Sequence, residues 1–147
     1  MTLVDMMNGS MEQTIPAAYK MGIKVVEARR GHAVTTAPVE GNGNHFGVIY
    51  AGVLFTVAEI LGGLIPVATF DNSKYFPLVK NLDIAFVGMA RSDVRAEATL
   101  DEEVIARVEA EAAEKGKADF TLEATVTCNG QIVATTRGLY QLRAHRS

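Results

Sequence analysis

Tryptophan is absent and cysteine occurs once, at Cys128, so no intrachain disulfide can staple this 147-residue chain. Histidine is nearly as scarce. His32, His45 and His145 fall at no metal-ligand spacing, and neither a metal nor a cofactor is expected. Excess positive charge is also missing: 14 Lys and Arg stand against 17 Asp and Glu, a net charge of -3, which offers no electrostatic footprint for nucleic acid or an anionic membrane. No basic leader precedes an apolar run at the N-terminus, where Asp5 and Glu12 lie instead, so this end does not read as a signal peptide. A reducing, cytoplasmic setting is the expectation. Internal repeats, low-complexity tracts and long linkers are lacking too, so residues 1–147 read as one domain, with 1–21 as a lead-in segment.

What the chain does have is 48% hydrophobic residues, concentrated in one long run. From Ala51 to Thr69 the only charge is Glu59, so a helix here is apolar nearly all round and must be buried. Its length also admits a bilayer-spanning reading, since roughly 18 apolar residues suffice. Against that stand Glu59 at the middle, Gly62 and Gly63 beside it, Pro66, and strand patterns on both sides. Gly52, Thr56, Glu59 and Gly63 share one helix face, while Val53, Val57, Ile60 and Leu64 share another. A carboxylate on such a stripe is costly unless paired, bonded or protonated, and its pKa is expected to rise toward the range useful in acid/base chemistry. Pro66 predicts a kink or end of regular helix near Leu61 to Ile65.

The remaining elements follow from periodicity. Thr2 to Met21 is irregular or helical, with Pro16 able to start a short helix and Gly22 placed to end it. Ile23 to Val39 suggests two strands turning at Arg30 and Gly31, and Glu40 to Gly47 is a Gly/Asn loop. Leu82, Ile84 and Phe86 alternate as in a half-buried strand, and Val94 to Leu100 as in another. Asp101 to Glu114 is helical, with Glu103 four residues before Arg107, and Gly116 closes it. Phe120 to Cys128 alternates strictly, Asn129-Gly130 supplies a type I′ turn, and Ile132 to Leu142 returns. Cys128 falls on the apolar face of its strand and reads as inert, while Thr121, Thr125, Thr127, Thr135 and Thr136 read as an outer face. The sum is α+β: an antiparallel sheet of five or six strands wrapped on one long central helix.

That arrangement, entered through GNHFG and carrying one acid, resembles the hotdog fold, and specifically the PaaI-like acyl-CoA thioesterases with a poorly characterised related branch. In those enzymes an Asn precedes the helix, a His-Gly-Gly triplet opens it, and an Asp or Glu lies seven residues after the last Gly. The matching residues are Asn44, Tyr50-Ala51-Gly52 and Glu59. Tyr50 stands in place of the triplet's His and Ala51 in place of its first Gly; the segment Asp101 to Glu114 interrupts the usual strand succession. The resemblance implies hydrolysis of an acyl-CoA or acyl-carrier-protein thioester, with Glu59, Asn44 and Gly52 catalytic and His45, Tyr50, Ala51 and Thr56 contacting substrate. It further implies a homodimer, or a dimer of dimers, with Glu59 facing Asn44 and Gly52 of the partner subunit.

The residue chemistry is compatible with those roles. Free N–H groups at a helix N-terminus stabilise a developing oxyanion, Gly52 lets a carbonyl approach the backbone, and Glu59 serves as base or nucleophile. Structural roles compete with these: Glu59 bonded to Thr56 or to a partner helix, Asn44 shaping its turn, His45 and Tyr50 in loop or interface packing. Two other functions stay open. A hotdog dehydratase or hydratase acting on 3-hydroxyacyl thioesters would pair His45 with Glu59, and a non-catalytic acyl-CoA or lipid-binding module would account for the altered triplet. The apolar helix permits a medium or long acyl chain, and an aromatic acyl group is equally open.

Overall fold

The computed structural model describes residues 1–146. Thr2 and Asp5 form a reciprocal capping box that starts α1 (Leu3–Thr14), and Pro16 opens the short α2 (Pro16–Lys20). The lead-in is thus two helices. Asn8 fixes α1 to the first strand, β1 (Lys24–Arg29): its Nδ2 donates to the Val25 carbonyl and its Oδ1 accepts from the Val25 N–H, both at 2.8 Å.

Six strands make one antiparallel sheet. β2 (His32–Ala37), β3 (Tyr75–Phe86), β4 (Val94–Thr99), β5 (Lys117–Cys128) and β6 (Gln131–Ala144) join β1 in the order β1-β2-β4-β5-β6-β3. The expected turns are present, with Gly31 at φ 74°, Asn129 at 51° and Gly130 at 80°. Strand β3 starts earlier than its alternation predicts and carries Pro77, which an edge strand tolerates because its missing N–H need not enter a ladder. Phe86, expected on the half-buried side, is half exposed at this edge. Helix α5 (Glu102–Lys115) is capped by Asp101 and closed by Gly116 in the left-handed conformation, and it buries Ile105, Val108 and Ala112 against β5 and β6. Arg107 does not pair with Glu103; its guanidinium reaches one turn forward to Glu111 at 3.2 Å, because Nη1 also donates to the Asp119 carbonyl on β5.

The apolar run packs on this sheet as α3 (Ala51–Glu59) and α4 (Leu61–Thr69), between them touching all six strands. Val53, Val57, Ile60 and Leu64 are buried, as their shared face requires, and burying Leu61 and Ile65 completely adds roughly 1.5–3 kcal/mol each. The interruption falls at Ile60, one residue before the predicted interval, while Pro66 is accommodated inside α4. The cause is local. The Gly63 N–H bonds the Ile60 carbonyl at 3.0 Å, which frees the Glu59 carbonyl to accept from the Tyr140 hydroxyl of β6 at 3.1 Å. Tyr140 stacks on Phe120 and its ring takes the space beside Gly62, where a Cβ would come within 1.9 Å of it. The outer sheet face is as expected except at Thr136: a register shift between Val126 and Thr127, opposite Ala134 and Ile132, puts Thr136 among the buried residues. Cys128 is buried, with Sγ 3.1 Å from Ser92 Oγ. A sheet wrapped on one central helix is the hotdog architecture.

Candidate functional site

The loop into α3 is held by its own asparagines. Asn42, buried, donates to the carbonyls of Met21 and Pro38 at 2.7 and 2.8 Å, and its carbonyl accepts the Tyr50 N–H at 2.8 Å. Asn44 Oδ1 accepts the N–H of Phe46 at 2.9 Å and of Val48 at 3.3 Å. Asn44 therefore closes its own turn. His45 is exposed and rests on Phe46, ring centroids 4.0 Å apart.

Tyr50 is the N-cap residue of α3 and contributes no side-chain cap, so the N–H groups of Ala51 and Gly52 carry no hydrogen-bond partner. Two unsatisfied donors at the positive end of a helix suit an anion or a developing oxyanion. Gly52 was expected to leave room for a substrate carbonyl, but that space is filled: a Cβ there would lie 2.5 Å from the Tyr50 ring. What Gly52 offers a ligand is its N–H. Thr56 donates its hydroxyl to the Gly52 carbonyl at 2.7 Å, so it is not bonded to Glu59.

Glu59 sits two turns further along. Its carboxyl is partly buried, has no hydrogen-bond partner, and is pushed above the ordinary carboxylate range by desolvation. Two clefts meet at it, sharing Glu59, Gly63 and Pro77. One, of about 360 Å³, runs under α1 past Met7 and Met11. The other, of about 310 Å³, opens beside Leu78 and Val79 of the edge strand and is backed by Tyr140. Burial and, secondarily, the Glu59 charge push the Tyr140 hydroxyl well above an ordinary phenol, so it remains a donor to the Glu59 backbone carbonyl.

The predicted residues thus fall into two groups within the chain. Asn44, His45, Tyr50, Ala51, Gly52 and Thr56 gather at the start of α3, and none of them lines either cleft at Glu59. Tyr140, Met7 and Met11, which line the clefts at Glu59, were not singled out from the sequence, and Gly63 was placed on the Glu59 face without a role. The Gly62-Gly63 pair beside the lone acid was the available signal, since adjacent glycines in a buried helix imply something large packed close. Among the described residues no group of three or more His, Cys, Asp or Glu side chains is placed to hold a metal.

The fold is that of a hotdog protein of the thioesterase type. The chain belongs to the family described as a domain of unknown function, DUF4442, whose model matches residues 5–140. A Pseudomonas aeruginosa protein of unknown function, described as a probable thioesterase, is 37% identical, with a TM-score of 0.90 over 98% of this chain and 97% of its own. A Haemophilus influenzae thioesterase is 16% identical with a TM-score of 0.77 over 98% and 92%, and a second Pseudomonas aeruginosa thioesterase, solved as a mutant, is 17% identical with a TM-score of 0.78 over 98% and 96%. At that identity the latter two share the fold. No curated protein sequence matches the chain.

Proposed function

We propose that this protein hydrolyses acyl thioesters, with Glu59 as general base. The observation that supports this most directly is Glu59 itself: an unbonded carboxyl, its proton affinity raised by burial, at the junction of two clefts. A 37% identical relative described as a probable thioesterase points the same way.

In this reading Glu59 takes a proton from water as its oxygen attacks the thioester carbon. The carbonyl oxygen becomes negative and is met by the free N–H groups of Ala51 and Gly52. Collapse of that intermediate breaks the C–S bond, and the thiolate leaves with the proton Glu59 had taken. The two halves of this machinery lie apart on one chain, since seven residues of helix separate Gly52 from Glu59 by roughly 10 Å. A homodimer brings Glu59 to the helix start of the partner subunit, and the half-exposed Val79 and Phe86 on edge strand β3 are the surface for that pairing. Asn44, with its Nδ2 unbonded, then orients water or the thioester.

The test is release of free thiol from short-, medium-, long-chain and aromatic acyl-CoAs by wild-type and Glu59→Gln protein. Loss of a positioned general base slows turnover by roughly 10²–10⁴-fold. Equal rates for the two proteins, with the variant still folded, would exclude Glu59 from the mechanism.

A further inference from the structure

The cleft under α1 is about 360 Å³ and lies between that helix and α4, with Met7, Met11, Leu64 and Val67 on its walls and Glu59 and Gly63 where it meets the second cleft. That volume is at the small end of the ~300–1,000 Å³ typical of ligand sites. The chemistry of its lining is narrow. Ser10 and Thr14 reach it, yet both hydroxyls donate back to α1, to the carbonyls of Met7 at 3.3 Å and Ser10 at 3.0 Å. No lining residue is aromatic and none besides Glu59 is ionisable. The walls are aliphatic and thioether, and methionine adapts to a flexible chain. A ring bearing a hydroxyl would be buried there without a partner.

Gly63 opens the mouth of the cleft. A Cβ built on it meets nothing within 4 Å, so a side chain added here starts in open space rather than against protein. The far wall is equally definite, because Asn8 ties α1 to the backbone of β1 through two hydrogen bonds of 2.8 Å.

We propose that this cleft holds the acyl tail of the substrate, an unbranched aliphatic chain of medium length, and that Gly63 and the Met7–Met11 wall of α1 set the chain length accepted. The proposal rests on the thioesterase reading insofar as Glu59 marks where the thioester lies. At roughly 30 Å³ per methylene, about the volume share of one water molecule in the liquid, the cleft takes a chain of up to roughly 12 carbons. The second cleft, open beside the edge strand, is then the route for the thioester head and its carrier.

Gly63→Leu places its Cβ where nothing lies within 4 Å and exchanges a poor helix former for a good one, so the variant is expected to fold; Gly63→Ala is the milder companion. Two measurements are made on the full chain. The first is the ratio of decanoyl-CoA to butyryl-CoA hydrolysis, as kcat/KM, which should fall at least tenfold in Gly63→Leu and by less in Gly63→Ala. The second is calorimetric binding of decanoyl-CoA to Glu59→Gln protein with and without Gly63→Leu, which should show at least a tenfold loss of affinity on adding the leucine. An unchanged ratio in a Gly63→Leu protein that melts like wild type would overturn the proposal. If wild type hydrolyses neither substrate, the thioesterase reading fails and binding alone decides: decanoyl-CoA held tightly and displaced by Gly63→Leu sustains the cleft assignment, whereas no binding, or binding indifferent to Gly63→Leu, ends it.

Discussion

Replacing Gly62 with alanine should destabilise this protein although it removes a glycine from a helix. A Cβ at Gly62 would lie 1.9 Å from Tyr140 Cε1 and 2.1 Å from Cζ, so the ring must move. It has little freedom to do so, being buried, stacked on Phe120 and seated over Gly138, where a Cβ would come within 2.4 Å. Forcing that movement costs ~1–3 kcal/mol as overpacking. Pulling the hydroxyl from the Glu59 carbonyl adds about 1 kcal/mol. The better helix propensity of alanine returns about 1 kcal/mol. The net expectation is a loss of roughly 1–3 kcal/mol, which for a chain of this size lowers the melting temperature by roughly 3–10 °C.

The same substitution in a Tyr140→Ala background should have the opposite sign. Tyr140→Ala itself costs ~3–5 kcal/mol by leaving a cavity, but with the ring gone Gly62→Ala keeps only its propensity gain of about 1 kcal/mol. The coupling between the two positions is then ~2–4 kcal/mol, at or above the upper end for residues in contact. Urea unfolding of the four proteins at one fixed concentration measures it, the concentration being held because self-association would shift the midpoint. A Gly62→Ala protein as stable as wild type, or a loss of equal size in both backgrounds, would refute the claim that Tyr140 is what requires glycine here.

Other expectations follow from single contacts. Glu59 has a raised folded-state pKa, so wild type loses stability as pH rises through the carboxylate range; Glu59→Gln should be the more stable at neutral pH, with the difference gone below about pH 4 in paired thermal melts. If Glu59 is the base, thioester hydrolysis rises with pH through that same elevated pKa, and a rate independent of pH between 4 and 8 would contradict the role. Asn8→Ala leaves the part-buried Val25 N–H and carbonyl unpaired at a cost of ~1–3 kcal/mol, and limited proteolysis should then cut within α1 before the sheet opens. Gly31→Ala should cost clearly more than Gly116→Ala: both have φ near +75°, but a Cβ at Gly31 also meets the Leu100 carbonyl oxygen at 2.6 Å, while Gly116 has nothing within 4 Å.

The elements legible in the sequence are those whose cause is local. The 120–142 hairpin follows from strict alternation about Asn129-Gly130, and α5 from its aspartate cap, apolar face and closing glycine. The helix faces of 51–64 also read correctly, with Val53, Val57 and Ile60 inward and Glu59 at their margin. What escaped depends on residues far apart in the chain. The break at Ile60 is set partly by Tyr140, 81 positions from the carbonyl it bonds, and no window of sequence contains both. Asn8 and Val25 meet across 17 positions. His32, weighed only for metal spacing, is buried between Thr99 and Glu97, at 2.8 and 3.2 Å, a setting that only the β2–β4 register creates. At the site, the sequence could not say that Tyr50 folds onto Gly52 or that Asn44 bonds its own loop.

The bond from Asn8 to β1 bears on how this sheet meets others of its kind. An antiparallel sheet has two rims, and each unpaired rim invites a further strand. At β1 the outward N–H and carbonyl of Val25 are already taken by one asparagine side chain, and α1 stands over them. Among the described residues, the β3 rim has no side chain of this kind bonded to it along Tyr75–Phe86. Molecules with a single recruiting rim can join in pairs and then stop, whereas molecules with two would string together without limit. Losing Asn8 would thus do more than loosen a helix: it would bare the Val25 N–H and carbonyl, the groups an edge strand offers to a further strand.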